Sequence, residues 1–318
     1  MIYIISISVI IMILICIPWV VATDRYRNSR ESEINLVIDE KKDPRYFGKR
    51  FAEMIERELP RLMDNTIQLT RKENIEGEHE DDSYPEVVEK LVIKQEDFVV
   101  PKNIKQFKKE IYTTGNLDLS NCRDIVFRAA YSDGKISLGS STIVERWVDA
   151  RLGMICEDGC NLGVCASTEG DMKLGYNCRF KRLYGRRIMT FNSDNSTYKN
   201  PKELGLDDEV QPQDVIYRKS VTIGVGEKIY GNISSEGEVI LGKNSVVTGN
   251  VFAKKNIIMQ EGAVVLGNIF TYGNIDIHRE CVAGQEGVIS SVICREDMKI
   301  GEKVCIYGYV ACSGKGET

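Results

Sequence analysis

Four cysteines in the middle of the chain, Cys156, Cys160, Cys165 and Cys178, are the first residues whose type and spacing could do chemistry. Thiolates bind zinc, and structural zinc sites usually present them in C-x2-C pairs. Here the spacing is C-x3-C-x4-C-x12-C, so buried thiols are expected rather than a metal site. Acid–base catalysis needs a histidine or a carboxylate pair held in a cleft. His278 occupies the position that Gly242, Gln260 and Gly301 fill elsewhere in a repeat described below, beside an inward residue, and is expected on the surface. Glu157, Asp158, Glu169 and Asp171 flank Gly159 and Gly170, which reads as solvated turn carboxylates rather than a catalytic pair. No G-x4-G-K-[ST] phosphate loop is present. The residues therefore predict no catalytic centre, no metal, no cofactor and no enzyme.

What positions these residues is a repeat. Aliphatic-x-aliphatic pairs recur every 18 residues at Val221/Ile223, Val239/Leu241, Ile257/Met259 and Ile275/Ile277, and again after 23 at Met298/Ile300. A second column, Ile229, Val247 and Val265, is followed by Gly231, Gly249 and Gly267, and "CIYGYV" restores it at Ile306, Gly308 and Val310. The five-residue displacement marks "GQEGVISSVICRE" as a short insertion. The same period links Ile136/Leu138, Met154/Cys156 and Met172/Leu174, and places Cys165 and Leu183 at the position of Trp147. Alternation i, i+2 excludes a helical period, and a helix-turn-helix unit does not fit in 18 residues. One such turn cannot bury its apolar face, whereas stacked turns can, with parallel strands about 4.8 Å apart.

The fold class predicted is therefore all-β, a parallel β-helix of about 18 residues per rung. Gly231, Gly249, Gly267 and Gly308 are expected at rung corners, where a residue free to adopt positive φ or to approach its neighbour closely is needed. Asn232, Asn250 and Asn268 either bond to one another up their column or tolerate the corner conformation. Cys160 and Cys178 share a column one rung apart, close enough by rung spacing for a disulfide if the compartment is oxidising.

The run "IYGNISSEGEVILGKNSVVTGNVFAKKNIIMQEGAVVLGNIF" resembles the bactofilins, a family of polymer-forming bacterial cytoskeletal proteins. The likeness extends over Val221 to Val310, less closely over Leu117 to Ile188, and not over Met1 to Glu110. The resemblance implies a triangular, right-handed parallel β-helix that polymerises end to end without nucleotide, tethered in some members by an N-terminal segment. Two repeat blocks, a long middle excursion and an extended pre-domain depart from the compact pattern.

The N-terminal "MIYIISISVIIMILICIPWVV" carries no charge and would span roughly 30 Å as a helix. Arg25, Arg27 and Arg30 follow it and no Lys or Arg precedes it. This predicts a single-pass anchor over 1–22 with the remainder in the cytoplasm; a cleaved signal peptide lacks its basic n-region. A charged linker over 23–110 is expected next, with an amphipathic helix in "PRYFGKRFAEMIERELPRLMDN" and a flexible acidic spacer, "NIEGEHEDDSYPE". The first β-helix block is expected over 111–189, a loop excursion over 190–220, and the bactofilin-like block over 221–312. Charge is mildly negative, 42 Lys plus Arg against 47 Asp plus Glu, which predicts no nucleic-acid partner.

A stacked coil exposes an unpaired strand edge at each end, and only "ACSGKGET" follows Val310. Met298, Ile300, Val304, Ile306, Tyr307 and Val310 are therefore expected to form a terminal self-association rung. The partners predicted are a second copy, the membrane through the N-terminal helix, and recruited proteins that the sequence does not identify. The competing readings are a hexapeptide-type left-handed β-helix acyltransferase, which also uses 18 residues per coil, and a secreted β-helical surface protein.

Overall fold

Each aliphatic-x-aliphatic pair is a short strand, and equivalent strands lie directly over one another. Val239 stacks on Ile257 and Ile257 on Ile275, in parallel and residue for residue. The computed structural model describes residues 43–59, 85–191, 204–206 and 210–318, with the backbone alone of 66–70 and 73–76. The apolar segment 1–22 lies outside the described residues. Among the described residues no helix is long and apolar enough to cross a membrane.

The strands form a parallel β-solenoid of about 12 turns with roughly 18 residues per turn. In the C-terminal half each turn has three short strands, as in Val251–Ala253, Ile257–Met259 and Val264–Val265. In the N-terminal half one long strand and one short strand make the turn, as in Ile143–Ala150 and Gly153–Cys156. Inward residues form continuous ladders: Leu241, Met259 and Ile277 in one, and Val247, Val265 and Ala283 in another, all 0–1 % exposed. The extra residues of the segment 284–296 are looped out at 284–289, and the strand Ser290–Cys294 rejoins the stack with Val292 directly over Ile269.

The solenoid begins earlier than the expected boundary at 111. Val87–Val88, Val92–Lys94 and Phe98–Val99 form its first turn, paired with Gln106–Phe107, Ile111–Thr113 and Leu117–Asp118. Upstream, Thr66–Thr70 and Glu73–Glu76 form an antiparallel pair, so the acidic stretch read as a spacer starts in a strand; residues 77–84 of it lie outside the described residues. The amphipathic helix exists as α1, Tyr46–Glu58, and buries Gly48, Phe51, Ala52 and Ile55. Phe47 and Met54, which the helical spacing of the apolar residues would put on the same face as Phe51 and Ile55, are exposed. Its face is rotated because the groove it enters is lined by Tyr112, Tyr131, Trp147 and Cys165. Trp147 and Cys165 thus lie outside the coil, beneath the helix, rather than in an inward ladder. Register shifts between Val144 and Trp147 turn that part of the strand outward.

The two halves meet tail to tail. Strand Arg179–Thr190 pairs antiparallel with Cys305–Glu317, placing Leu183 opposite Val310 and Ile188 opposite Ile306. The two repeat blocks are therefore one continuous stack in which the second half runs back toward the first.

The left-handed corner lies in a column that repeat-counting overlooked. Gly226, Asn244, Gly262, Glu280 and Lys303 all have positive φ, at spacings of 18, 18, 18 and 23, and so do Asp124, Ser141, Gly159 and Asn177 in the first half. Of the four glycines expected at corners, only Gly231 and Gly308 have positive φ. The other requirement, close approach, holds for all four. A Cβ on Gly249 would stand 2.4 Å from the carbonyl oxygen of Gly231, and one on Gly267 2.5 Å from that of Gly249. Glu280→Gly removes a left-handed non-glycine residue and should raise stability by about 0.5–1 kcal/mol. Gly249→Val should lower it by at least about 2 kcal/mol; urea denaturation measures both.

Candidate functional site

The side chains whose types suggested chemistry do not converge. Cys160 Sγ donates to the Gly139 carbonyl at 3.3 Å and Cys178 Sγ to the Glu157 carbonyl at 3.2 Å, each in the preceding turn, while Thr142 Oγ1, one turn before Cys160 in the same column, donates to the Gly139 carbonyl of its own turn at 2.6 Å. These cysteines are small corner residues that satisfy a carbonyl. All nine described cysteines are buried free thiols, and burial pushes the Cys165 thiol up to about 12. His278 is exposed, 3.7 Å from Asp276. Glu157 accepts a bond from Ser140, Asp158 from the Tyr176 amide, Glu169 from Arg45, and Asp171 from Arg186 and Arg187. A groove of about 600 Å³ beside the tail-to-tail junction is lined by Lys243, Glu261, Arg279, Lys299 and Glu302, among others. Glu261 there is shared by Lys243 and Arg279, so the charges are matched locally rather than aimed at a ligand.

Asparagine does form a ladder. Asn232 Oδ1 accepts from the backbone and side-chain nitrogens of Asn250, and Asn250 Oδ1 does the same for Asn268. Asp214 starts this chain and the Ser291 amide ends it. A second ladder runs from Asn256 through Asn274 to the Asp297 amide. Each oxygen satisfies a corner amide one turn above, so both columns serve the stack and leave nothing aimed at a ligand.

What remains distinctive is how the strand edges terminate. The rung expected as a free self-association surface is not an edge. Met298, Ile300, Val304, Ile306 and Val310 are 0–2 % exposed and Tyr307 is 6 % exposed, and the strand Cys305–Glu317 is flanked on both sides. Thr190 locks the junction, donating through Oγ1 to the Gly301 carbonyl and accepting from the Val304 amide. The edge that "ACSGKGET" could not cap is capped by residues 179–190, a long-range partner with no signature in the local pattern.

The true ends are the first turns of the two halves, and they differ. At the N-terminal half, Val88, Val92 and Phe98 are only 5–6 % exposed. At the other end, the inward positions Val215, Tyr217, Val221 and Ile229 are half-buried, while their equivalents one turn in, Ile233, Val239 and Val247, are 0–1 % exposed. Ile216 and Val225 are 61 % and 76 % exposed. Among the described residues, no strand pairs with the outer edge of Val215–Tyr217, Val221–Ile223 or Lys228–Ile229. Val221/Ile223 is the first repeat of its block, and a first repeat leaves an edge just as a last one does, which is the signal the sequence carries for this turn.

A second feature had only a faint signal, an aspartate in the apolar run "RWVDA". Arg45, at the start of α1, binds Asp149 at 2.7 Å, and both are buried. Glu169 also bonds Arg45. Gly48 lets the helix approach, since a Cβ there would stand 2.2 Å from Asp149 Oδ2. Burial pushes the Asp149 carboxyl up to about 6 against the opposing pull of Arg45. No family model, curated protein or solved structure matches this chain.

Two tests follow from this geometry. Ile306→Lys should abolish cooperative folding of the C-terminal half, seen as loss of the main thermal transition, because the cation would sit between Ile188 and Ala283. The folded Asp149 carboxyl titrates near 6 and its ordinary value is 3.8. In that window the native state holds a proton that the unfolded chain has released, so this group's contribution falls as pH rises from about 4 to 6 and is level above. The unfolding free energy of wild type minus that of Asp149→Asn should therefore decline across pH 4–6 by on the order of 2 kcal/mol.

Proposed function

We propose that this protein is a membrane-tethered scaffold that associates with itself through the end of a β-solenoid, in the manner of the bactofilins whose repeat cadence Val221 to Val310 shares. The observation that carries this reading is the turn Val215–Ile229, whose outer edge no strand pairs with among the described residues and whose inward Val215, Tyr217, Val221 and Ile229 are half-buried, while the equivalent positions one turn in are closed. Unpaired strand edges in soluble solenoids are usually blunted by charge, proline or a covering helix, because they template pairing with another chain. Here the strand carries exposed Ile216 and the corner exposed Val225, beside the charged corner residues Arg218, Lys219 and Glu227.

The uncharged run 1–22 supplies the tether, and Arg25, Arg27 and Arg30 place the solenoid on the cytoplasmic side. Association is nucleotide-independent, since the backbone edge itself is the adhesive. Further proteins are recruited along the faces of the rod, and nucleic acid is not a partner. The helix α1 meets the flank of the N-terminal half, with Pro44 accepting from Cys165 and Phe51 reaching Tyr112 and Trp147.

Val221→Lys should reduce the sedimentation coefficient of the detergent-solubilised full chain to that of the monomer while shifting Tm by only a few degrees, because that side chain is already half-exposed. A wild-type chain that sediments as a monomer at micromolar concentration would contradict the scaffold reading. Carbonate extraction and protease protection of the C-terminus in intact cells test the tether and its orientation.

A further inference from the structure

We infer that the partner of the open turn is the same turn of a second copy, held antiparallel about a two-fold axis through Thr222, so that the assembly closes at two chains. This rests on the self-associating scaffold proposed above and adds its register and stoichiometry. The tail-to-tail junction inside each chain is the pattern. There, two terminal turns of this solenoid pair antiparallel with inward residue opposite inward residue, Leu183 with Val310 and Ile188 with Ile306. Applied to the open turn, a register centred on Thr222 keeps that rule over most of the edge. With Thr222 opposite its own copy, the half-buried Val221 falls opposite the buried Ile223 and the half-buried Val215 opposite the half-buried Ile229, while Tyr217 falls opposite Glu227 at the corner. The same register sets the corner Arg218–Lys219 of one copy against Gly224–Glu227 of the other, bringing basic side chains to Glu227. A surface that complements itself about a two-fold axis is satisfied by one partner and leaves nothing for a third.

Among the described residues the other ends differ in cover, although no strand pairs with the outer edge of the first turn either. The C-terminal turns of both halves are consumed within the chain, and the inward residues of the first turn, Val88, Val92 and Phe98, are already covered. The assembly is then a rod of about 24 turns with a tether on each copy, rather than a filament that grows from both ends.

Disulfide trapping tests the axis. Residues directly opposite in an antiparallel pair lie about 4.5–5.5 Å apart between Cα atoms, within disulfide reach, and all nine described native cysteines are buried. In the full chain in detergent micelles, with Cys16→Ser to remove the remaining cysteine, Thr222→Cys should give a covalent dimer under mild oxidation and no larger species. Val99→Cys, on the exposed side chain of the closed end, should give none. Val225→Lys sets a cation against Lys219 of the second copy and should weaken association at least tenfold by sedimentation equilibrium, and adding Lys219→Glu should restore it. Val225 is 76 % exposed, so neither change threatens the fold.

Oligomers that persist without a Thr222→Cys crosslink would overturn this register and leave the scaffold standing. Ladders above two chains, or crosslinking at Val99→Cys, would overturn closure. A chain that is monomeric throughout would remove both proposals.

Discussion

Backbone pairing between equal turns is the constraint on which everything else in this molecule depends. In a parallel solenoid each strand satisfies its amides and carbonyls only through the turn above and the turn below. Side-chain ladders follow from that pairing, because residues held in register at a fixed rise must share size and polarity with their neighbours. Hence Leu241, Met259 and Ile277 succeed one another in one column, and Asn232, Asn250 and Asn268 in another. Hence also the glycines that stack at 2.4–2.5 Å from what would be a Cβ: the turn spacing is set by hydrogen bonds, and the corner must fit beneath it.

The same constraint makes every end a problem, and this chain meets it in different ways. Two terminal turns are turned against each other, so that one unpaired edge satisfies the other across 179–190 and 305–317. The first turn draws Val88, Val92 and Phe98 into cover. Among the described residues no strand pairs with the outer edge of the turn Val215–Ile229. The chemistry-bearing side chains are, by contrast, absorbed into the wall: thiols of Cys160 and Cys178 do what the Thr142 hydroxyl does.

Polar burial outside the stack has a separate role. Arg45 and Asp149 are buried beneath α1, an arrangement in which desolvation competes with attraction and the net gain in stability is small. What such a pair provides is position. Apolar packing of Phe51 and Ile55 on Tyr112, Tyr131 and Trp147 would tolerate sliding along the flank, whereas the guanidinium on Asp149 and the close approach at Gly48 fix where α1 sits on it.

Much of the fold was legible in the residues. The period of 18, the alternation in each strand, the insertion at 284–296 and the inward ladders from Val239 onward are local patterns, and local patterns dictate local structure because each turn meets only its neighbours. The helix Tyr46–Glu58 was legible as a helix, but the face it buries was not, since that depends on the groove it enters. The start of the stack at Val87 was obscured because its first turn uses Val92, Ile93 and Phe98 without the corner glycines of later turns. Identity of the ends was not legible at all. Repetition along the chain specifies that turns stack; it carries no statement of which turn is last in space, and residues 179–190 and 305–317, more than a hundred positions apart, meet only when two finished stacks bring their edges together. The sequence by itself determined the rung, and only the tertiary structure decided which rung remains open, because an edge is a property of what fails to lie beside a strand rather than of the strand's own residues.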